Sequence, residues 1–404
     1  MDKPLSGIKV LELSTFVAAP SCTRLLADLG ATVIKVEHPK GDAWRLTGIS
    51  YLPRRFSEQD NPVFDIYNAG KKHIALNLKS AEGMAVFHKL LSESDVFVTN
   101  TRPQSLKKLG LSYEDLKEKY PRLIYGIVLG YGEKGPDAHK PAFDTTAFWA
   151  RTGFIRDLAI AGEHYKPIYP PSSVGDTFTG TLLMGEICAA LYRRLITGKG
   201  DFVRSSLYHN GIFAMGTMTV TTQRPYGQVF PKDRPTHATV GGYFKCADDD
   251  YMYIAVGNVE HTLPAMCKAI DRLDLLEDPV FTTALGRWEN RYKYYQIFED
   301  AFLKKTLPEW LKIGEELDIP MIRMNHFADV SEDEQAWANG YLEHVEFANG
   351  NVEVMPRSPI EMDSVGELKT VPADKVGANT KEILLDLGYT EEQIKKMTDE
   401  GSVV

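Results

Sequence analysis

A single acid, Asp176, stands in the segment VGDTFTG, between a glycine and a long run of helical periodicity. Two kinds of chemistry suit that setting. Aspartate is among the favoured N-cap residues, whose side-chain oxygen accepts from the free amides of a first helical turn. A carboxylate is also a competent covalent nucleophile when it is ionised and open to a carbonyl carbon, and a neighbouring glycine gives that access. A helix N-terminus favours the charged form by a few tenths to ~1 kcal/mol, and its free N–H groups can meet a developing oxyanion. Both readings share one geometry, so the segment alone leaves both open.

Cationic side chains gather at other loop positions: Lys35, Lys40 and Arg45; Lys71 and Lys72; Arg102, Lys107 and Lys108. Each alone reads as a solvated charge. Brought to one edge of a sheet, they would neutralise a phosphorylated ligand. GYGEKG, Gly130 to Gly135, matches GxGxxG, but Pro136 follows at once and no helical pattern opens. A dinucleotide site needs that helix, so the segment reads as a flexible loop. The SxxK of Ser105 to Lys108 is too short and common to mark a serine nucleophile. No P-loop, HExxH, EF-hand loop or GxSxG occurs. Cys22, Cys188, Cys246 and Cys267 lie far apart, with no CxxC pair to suggest a disulfide framework or a zinc site.

The elements that must position these groups follow from periodicity. Apolar runs at Ile8–Leu13, Ala31–Glu37, Asp95–Asn100 and Arg122–Gly130 alternate with helical patterns. That alternation predicts parallel βαβ units and a doubly wound sheet, whose ligands sit off the carboxyl ends of the strands. The rule directs attention to Ser14–Pro20, His38–Arg45, Asn100–Pro103 and Gly130–Pro136. A helix is expected from about Thr177 to Leu195, closed by the glycines of TGKGD. From about residue 225 an antiparallel pair and short amphipathic helices suggest a smaller α+β domain. The expected division is 1–224 for a large Rossmann-like domain, 225–330 for the small one, and 331–404 for a segment returning to the large domain. With 404 residues and 43% hydrophobic content, the chain has ample material for such a core. A net charge of −9 argues against general nucleic-acid binding. The N-terminus lacks the pattern of a signal peptide, and no apolar run reaches the roughly 18 residues of a membrane span, so a cytoplasmic protein is expected.

Taken together, IKVLELSTFVAAPSCTRLLADLGATVIKVEHPKGDAWR, NAGKKHIALNLKSAEG, SDVFVTNTRPQSLKKLGLSYEDL, PRLIYGIVLGYGEKGP, VGDTFTG with ALYRRLITGKGD, and VGANTKEILLDLGY resemble the family III CoA-transferases of the CaiB/BaiF type. The resemblance runs from the first strand to the last helix. It implies two interlocked chains forming a homodimer, each with a Rossmann-like large domain and a small domain. It places the family's catalytic aspartate at Asp176, which attacks an acyl-CoA thioester to give a mixed anhydride and then an aspartyl-CoA thioester. CoA thioesters are then substrates, and no permanently bound cofactor or metal is expected. His38, Lys40 and Arg45 match the segment that binds CoA phosphates. Asn68, Gly70, Lys71 and Lys72 match the adenine and ribose region, and Asn100, Thr101 and Arg102 another CoA-contacting loop. Tyr131 and Glu133 fall in the loop facing the active site, and Gly241 and Gly242 in a glycine loop that shields the intermediate.

The chain is most similar to the subgroup acting on 2-hydroxy acids in amino-acid fermentation. It has Val17 in FVAAP where formyl-CoA transferase places a glutamine. The implied pocket is therefore more apolar, suited to a branched aliphatic or aromatic (R)-2-hydroxy acid such as 2-hydroxyisocaproate, with isocaprenoyl-CoA or isocaproyl-CoA as donor. An aryl-lactate acceptor with cinnamoyl-CoA as donor is the alternative. An α-methylacyl-CoA racemase is a further one, disfavoured because the proton-transfer histidine of that group is replaced in the pair Phe143-Asp144.

Overall fold

A computed structural model describes residues 3–47, 61–162, 164–234 and 240–404. Six strands form one parallel sheet: β1 (Lys9–Leu13), β2 (Thr32–Glu37), β3 (Lys72–Ala75), β4 (Val96–Thr99), β5 (Ile124–Leu129) and β6 (Asp201–Ser206). Their spatial order is β3-β2-β1-β4-β5-β6. The chain therefore reverses direction across the sheet between β1 and β4, which pair in register from Val10 with Val96 to Leu13 with Thr99. That junction is a topological switch point, where loops leaving the two strands diverge and open a crevice. β4 and β5 are buried along their whole length, as strands covered on both faces must be.

Each face has its own core. On one side Leu11, Phe87, Phe97 and Tyr125 pack with Leu384 and Met397 from the C-terminal helices. On the other, Val10, Val98 and Ile124 pack with Leu26, Leu183 and Ile187. The helix Ala81–Ser92 starts where the Ser80 hydroxyl accepts the Gly83 amide at 3.1 Å. The helix Ala18–Asp28 crosses the long helix Val174–Thr197 in close contact. Gly180 permits that approach, because a Cβ there would stand 2.0 Å from Ser21 Oγ.

β3 is an edge strand, and the C-terminal segment covers it. Asn379 Oδ1 accepts the His73 amide at 2.8 Å and Thr380 Oγ1 accepts the Ala75 amide at 3.2 Å. Leu76 pairs with Val403, and the Asn77 amide donates to Ser402 O at 2.9 Å. The helix in VGANTKEILLDLGY is present at Thr380–Asp386, with Ile383 and Leu384 buried, and a further helix, Glu391–Asp399, follows it.

The chain divides into two compact units. One comprises residues 1–156, 168–228 and 334–404, and carries the sheet together with the hairpin of β10 (Leu342–Glu346) and β11 (Val352–Pro356). The other comprises residues 157–167 and 229–333. Within it the antiparallel strands β7 (Gly242–Lys245), β8 (Tyr251–Ile254) and β9 (Met321–Arg323) pack with three helices around Phe244, Phe298, Phe302 and Trp310.

Candidate active site

A cleft of about 430 Å³ opens at the carboxyl ends of β1, β4 and β5. Thr15 and Phe16 follow β1, Asn100, Thr101 and Arg102 follow β4, and Gly130 follows β5; all six line it. Asp176 enters the same cleft from the first turn of the long helix. Asn100 ties two of these loops together: its Oδ1 accepts the Thr15 amide at 3.1 Å and its Nδ2 donates to Thr15 O at 2.7 Å.

Asp176 does not cap its helix. The N-cap residue is Ser173, with φ +70°, and no side chain closes the cap. The Thr177 hydroxyl donates backward to Ser173 O at 2.8 Å, and the buried Thr179 hydroxyl finds no partner among the described residues. The carboxylate that faces the helix start is that of Asp144, 5% exposed. The amides of Ser173, Gly175 and Asp176 and the Trp149 indole point toward it and lower its pKa, yet neither oxygen completes a hydrogen bond with a described residue. It lies so close that a Cβ on Gly175 would stand 2.3 Å from Asp144 Oδ1. Burial outweighs those amides and raises Asp144 to about 6. Asp176 opens onto the cleft but is ringed by protein; burial, and then the charge of Asp144, raise it to about 8. Two carboxyls pushed apart by environment in this way are a signature of functional sites.

Beneath the cleft runs a buried charge network. Glu12, inside β1, is fully buried and pairs with Lys35 at 2.8 Å and Lys71 at 2.9 Å. Its oxygens also accept from the Ser14 hydroxyl at 2.6 Å and the Thr23 hydroxyl at 2.5 Å. Burial alone would raise the Glu12 carboxyl, but the two ammonium groups hold it far below the usual range. Lys35 also pairs with Asp42 Oδ2 at 3.0 Å, and Asp42 Oδ1 accepts the amides of Phe16 at 3.2 Å and Trp44 at 2.9 Å. Phe16 sits at φ +64°, a left-handed conformation that costs a non-glycine residue about 1–2 kcal/mol. The network holds it there.

Of the residues expected from sequence, Asp176, Asn100, Thr101 and Arg102 come together in the cleft. Val17 does not. It is 1% exposed and packs with Trp44 and Phe64, because the turn at Phe16 sends the next side chain inward. Phe16 and Phe143 supply the apolar surface instead, and neither was singled out for that purpose from sequence. Arg45 is buried against Glu37 at 2.9 Å, and Lys71 is enclosed with Glu12, its burial lowering it to about 8. Asn68 is also buried, donating to Phe64 O at 3.0 Å. Lys72 pairs with Glu382 at 2.6 Å, and Gly70 is exposed beside it. His38 and Lys40 are exposed, the His38 Nδ1 accepting the Lys40 amide at 3.1 Å. Tyr131 packs near Tyr208, and Glu133 pairs with Arg204 at 2.8 Å; neither lines the cleft. Gly241 and Gly242 belong to the other unit, at the start of β7. Among the described residues no group of three His, Cys, Asp or Glu is placed to hold a metal ion, and no helix is long and apolar enough to cross a membrane.

Asp144 is the functional candidate that sequence reasoning passed over. In the sequence it stands only as the neighbour of an absent histidine. No motif or periodicity marks it, because the helix start that meets it begins about 30 residues downstream.

The comparisons agree with this architecture. The protein-family model for CoA-transferase family III matches residues 5–380. The chain is 40% identical to (R)-2-hydroxy-4-methylpentanoate CoA-transferase of Clostridioides difficile, over 98% of each chain. It is 38% identical to cinnamoyl-CoA:phenyllactate CoA-transferase of Clostridium sporogenes, over 99% of this chain and 97% of that one. Among solved structures, a CAIB/BAIF family protein from Brucella suis superposes with a TM-score of 0.79 at 27% identity, covering 96% of this chain and all of that one. Rv3272 from Mycobacterium tuberculosis gives 0.81 at 26%, covering 94% and 99%. A mixed α/β chain with a six-stranded parallel sheet, a cleft at its switch point and these relatives along its whole length belongs to CoA-transferase family III, and is an enzyme of that kind.

Proposed function

We propose that this enzyme moves CoA from an acyl-CoA, isocaprenoyl-CoA or isocaproyl-CoA, to (R)-2-hydroxyisocaproate, with Asp176 as the covalent nucleophile. The observation that carries the reading is a lone carboxyl opening from a helix start into a cleft at the sheet's switch point. The Asp176 carboxylate attacks the thioester carbonyl, and CoA leaves as the thiolate. The thiolate then attacks the aspartyl carbonyl of the mixed anhydride, releasing the donor acid. The acceptor's carboxylate repeats the sequence in reverse and leaves as the new thioester. Each step exchanges acyl groups between oxygen and sulfur, so neither water nor a redox cofactor enters the balance.

The helix-start amides of Ser173, Gly175 and Asp176 favour the charged form of Asp144, and that charge in turn acts on Asp176. The exposed Lys40 and Arg102 are cations suited to meet CoA phosphates, with the exposed His38 beside Lys40 as a polar contact, whereas Arg45 and Lys71 have buried partners. A cytoplasmic homodimer is the assembly we favour. Tyr192, Leu195 and Ile196 on the long helix and Phe213 after it expose large apolar surfaces, which a second copy would bury.

The test is to incubate the protein with isocaproyl-CoA and hydroxylamine and map the product by mass spectrometry. A hydroxamate on Asp176, absent from Asp176→Ala, is expected. Normal turnover by Asp176→Ala, or no adduct in a chain that transfers CoA, would refute the covalent route.

A further inference from the structure

We propose that Phe16 and Phe143 form a specificity-determining wall that selects a branched aliphatic side chain on the 2-hydroxy acid. This rests on the transferase reading above and names what that site prefers. Both residues line the cleft that holds Asp176. Their rings meet edge to face, with centroids 5.7 Å apart and planes at 84°. Phe143 is anchored at the reacting end, because its chain neighbour Asp144 lies against Gly175, the residue before Asp176. Phe16 is fixed from below. Its amide is held by Asp42, which Lys35 pairs with in the buried network, and its ring packs 6.1 Å from Trp44.

The geometry decides between side chains. Two rings already in edge-to-face contact leave no slot for a third ring to intercalate, as stacking on both would require a wider, parallel gap. The angle between them presents a concave apolar corner, which methyl branches fill well. A short side chain leaves the corner unfilled, and a flat aryl group meets it only by an edge. The wall therefore acts on both sides of the preferred size.

The experiment compares acceptors: (R)-2-hydroxy-4-methylpentanoate, (R)-lactate and (R)-phenyllactate, each with isocaproyl-CoA. Wild type should prefer the first over lactate by about ten- to hundredfold in kcat/KM, the range set by a few apolar groups in such a pocket. It should also prefer it over phenyllactate. Phe143→Ala, at a residue that is more than half exposed and whose loss leaves the core intact, should shrink the first ratio at least fivefold and raise phenyllactate use. The change should fall mainly on acceptor KM. Phe16→Ala should act in the same direction, and Phe16→Leu should restore most of the lactate discrimination. Unchanged ratios in Phe143→Ala overturn the wall while leaving the transferase reading intact; a wild-type preference for phenyllactate overturns the wall and the choice of acceptor, but not CoA transfer through Asp176. Failure of wild type to transfer CoA to any of the three acids overturns both.

Discussion

Replacing Asp176 by asparagine should stabilise the fold at neutral and alkaline pH while abolishing transfer. The free carboxyl titrates near 8 in the folded chain, because burial and the charge of Asp144 resist its ionisation. In the unfolded chain it titrates near 3.8. The folded state therefore holds a proton that the unfolded state releases throughout the window from about pH 4 to pH 8. Stability credited to that proton is complete below pH 4 and is lost as pH rises through the window. At pH 7 roughly three units separate the solution from the unfolded value, each worth ~1.4 kcal/mol, so the ceiling is about 4 kcal/mol. Solvent at the open side of the carboxyl reduces this to about 2 kcal/mol. Asparagine keeps the shape and removes the titration. Thermal unfolding followed by circular dichroism at pH 4.5, 6 and 8 should give nearly coincident midpoints at the lowest pH. The variant should then gain several degrees by pH 8, at roughly 2 °C per kcal/mol for a chain of this size. A constant difference at all three pH values, or a less stable variant at pH 8, would refute the reasoning. Asp144→Asn should show the kinetic counterpart: removal of the neighbouring charge moves the alkaline rise of kcat/KM to lower pH, because less opposes ionisation of Asp176.

Three further outcomes are expected. Gly175→Ala would drive a methyl group to 2.3 Å from both Asp144 Oδ1 and the Phe148 ring, so it should destabilise by about 1–3 kcal/mol and depress transfer. Gly185→Ala, ten residues along the same helix with open space at its Cβ, should instead stabilise by about 0.5–1 kcal/mol; matched melting and activity curves compare the two. Lys35→Met should lose about 3–5 kcal/mol in denaturant titrations, since it leaves Glu12 and Asp42 buried with one cation fewer.

Four of the six strands were legible in the sequence because they read as short apolar runs between helical patterns, whereas the edge strands β3 (KHIA) and β6 (DFVRSS) were not, since charged and polar residues break their apolar runs. Asp176 was legible for a similar reason, standing alone between a glycine and a long helical period. What the sequence hid was direction. Val17 and Phe16 are both apolar neighbours in one loop, and only the left-handed turn at Phe16 decides which faces the cleft. Arg45 and Lys71 look like ligand-seeking cations until Glu37, at the end of β2 eight residues before Arg45, and Glu12, far from Lys71 in sequence on β1, enclose them. Asp144 gave no periodic or motif signal, since its partner is a helix start about 30 residues downstream. Pairing across such distances is a tertiary fact that local composition does not encode.

The covering of β3 by the last residues bears on how the chain comes into being. Every residue that lines the cleft has been synthesised by Leu207, yet the free edge of the sheet is closed only by Asn379, Thr380 and Val403. A nascent chain thus carries the lining of the cleft on a sheet whose outer strand still offers unpaired amides to any passing strand. Stalled or prematurely ended translation would leave that edge open permanently, and such products are the ones expected to aggregate and to be cleared.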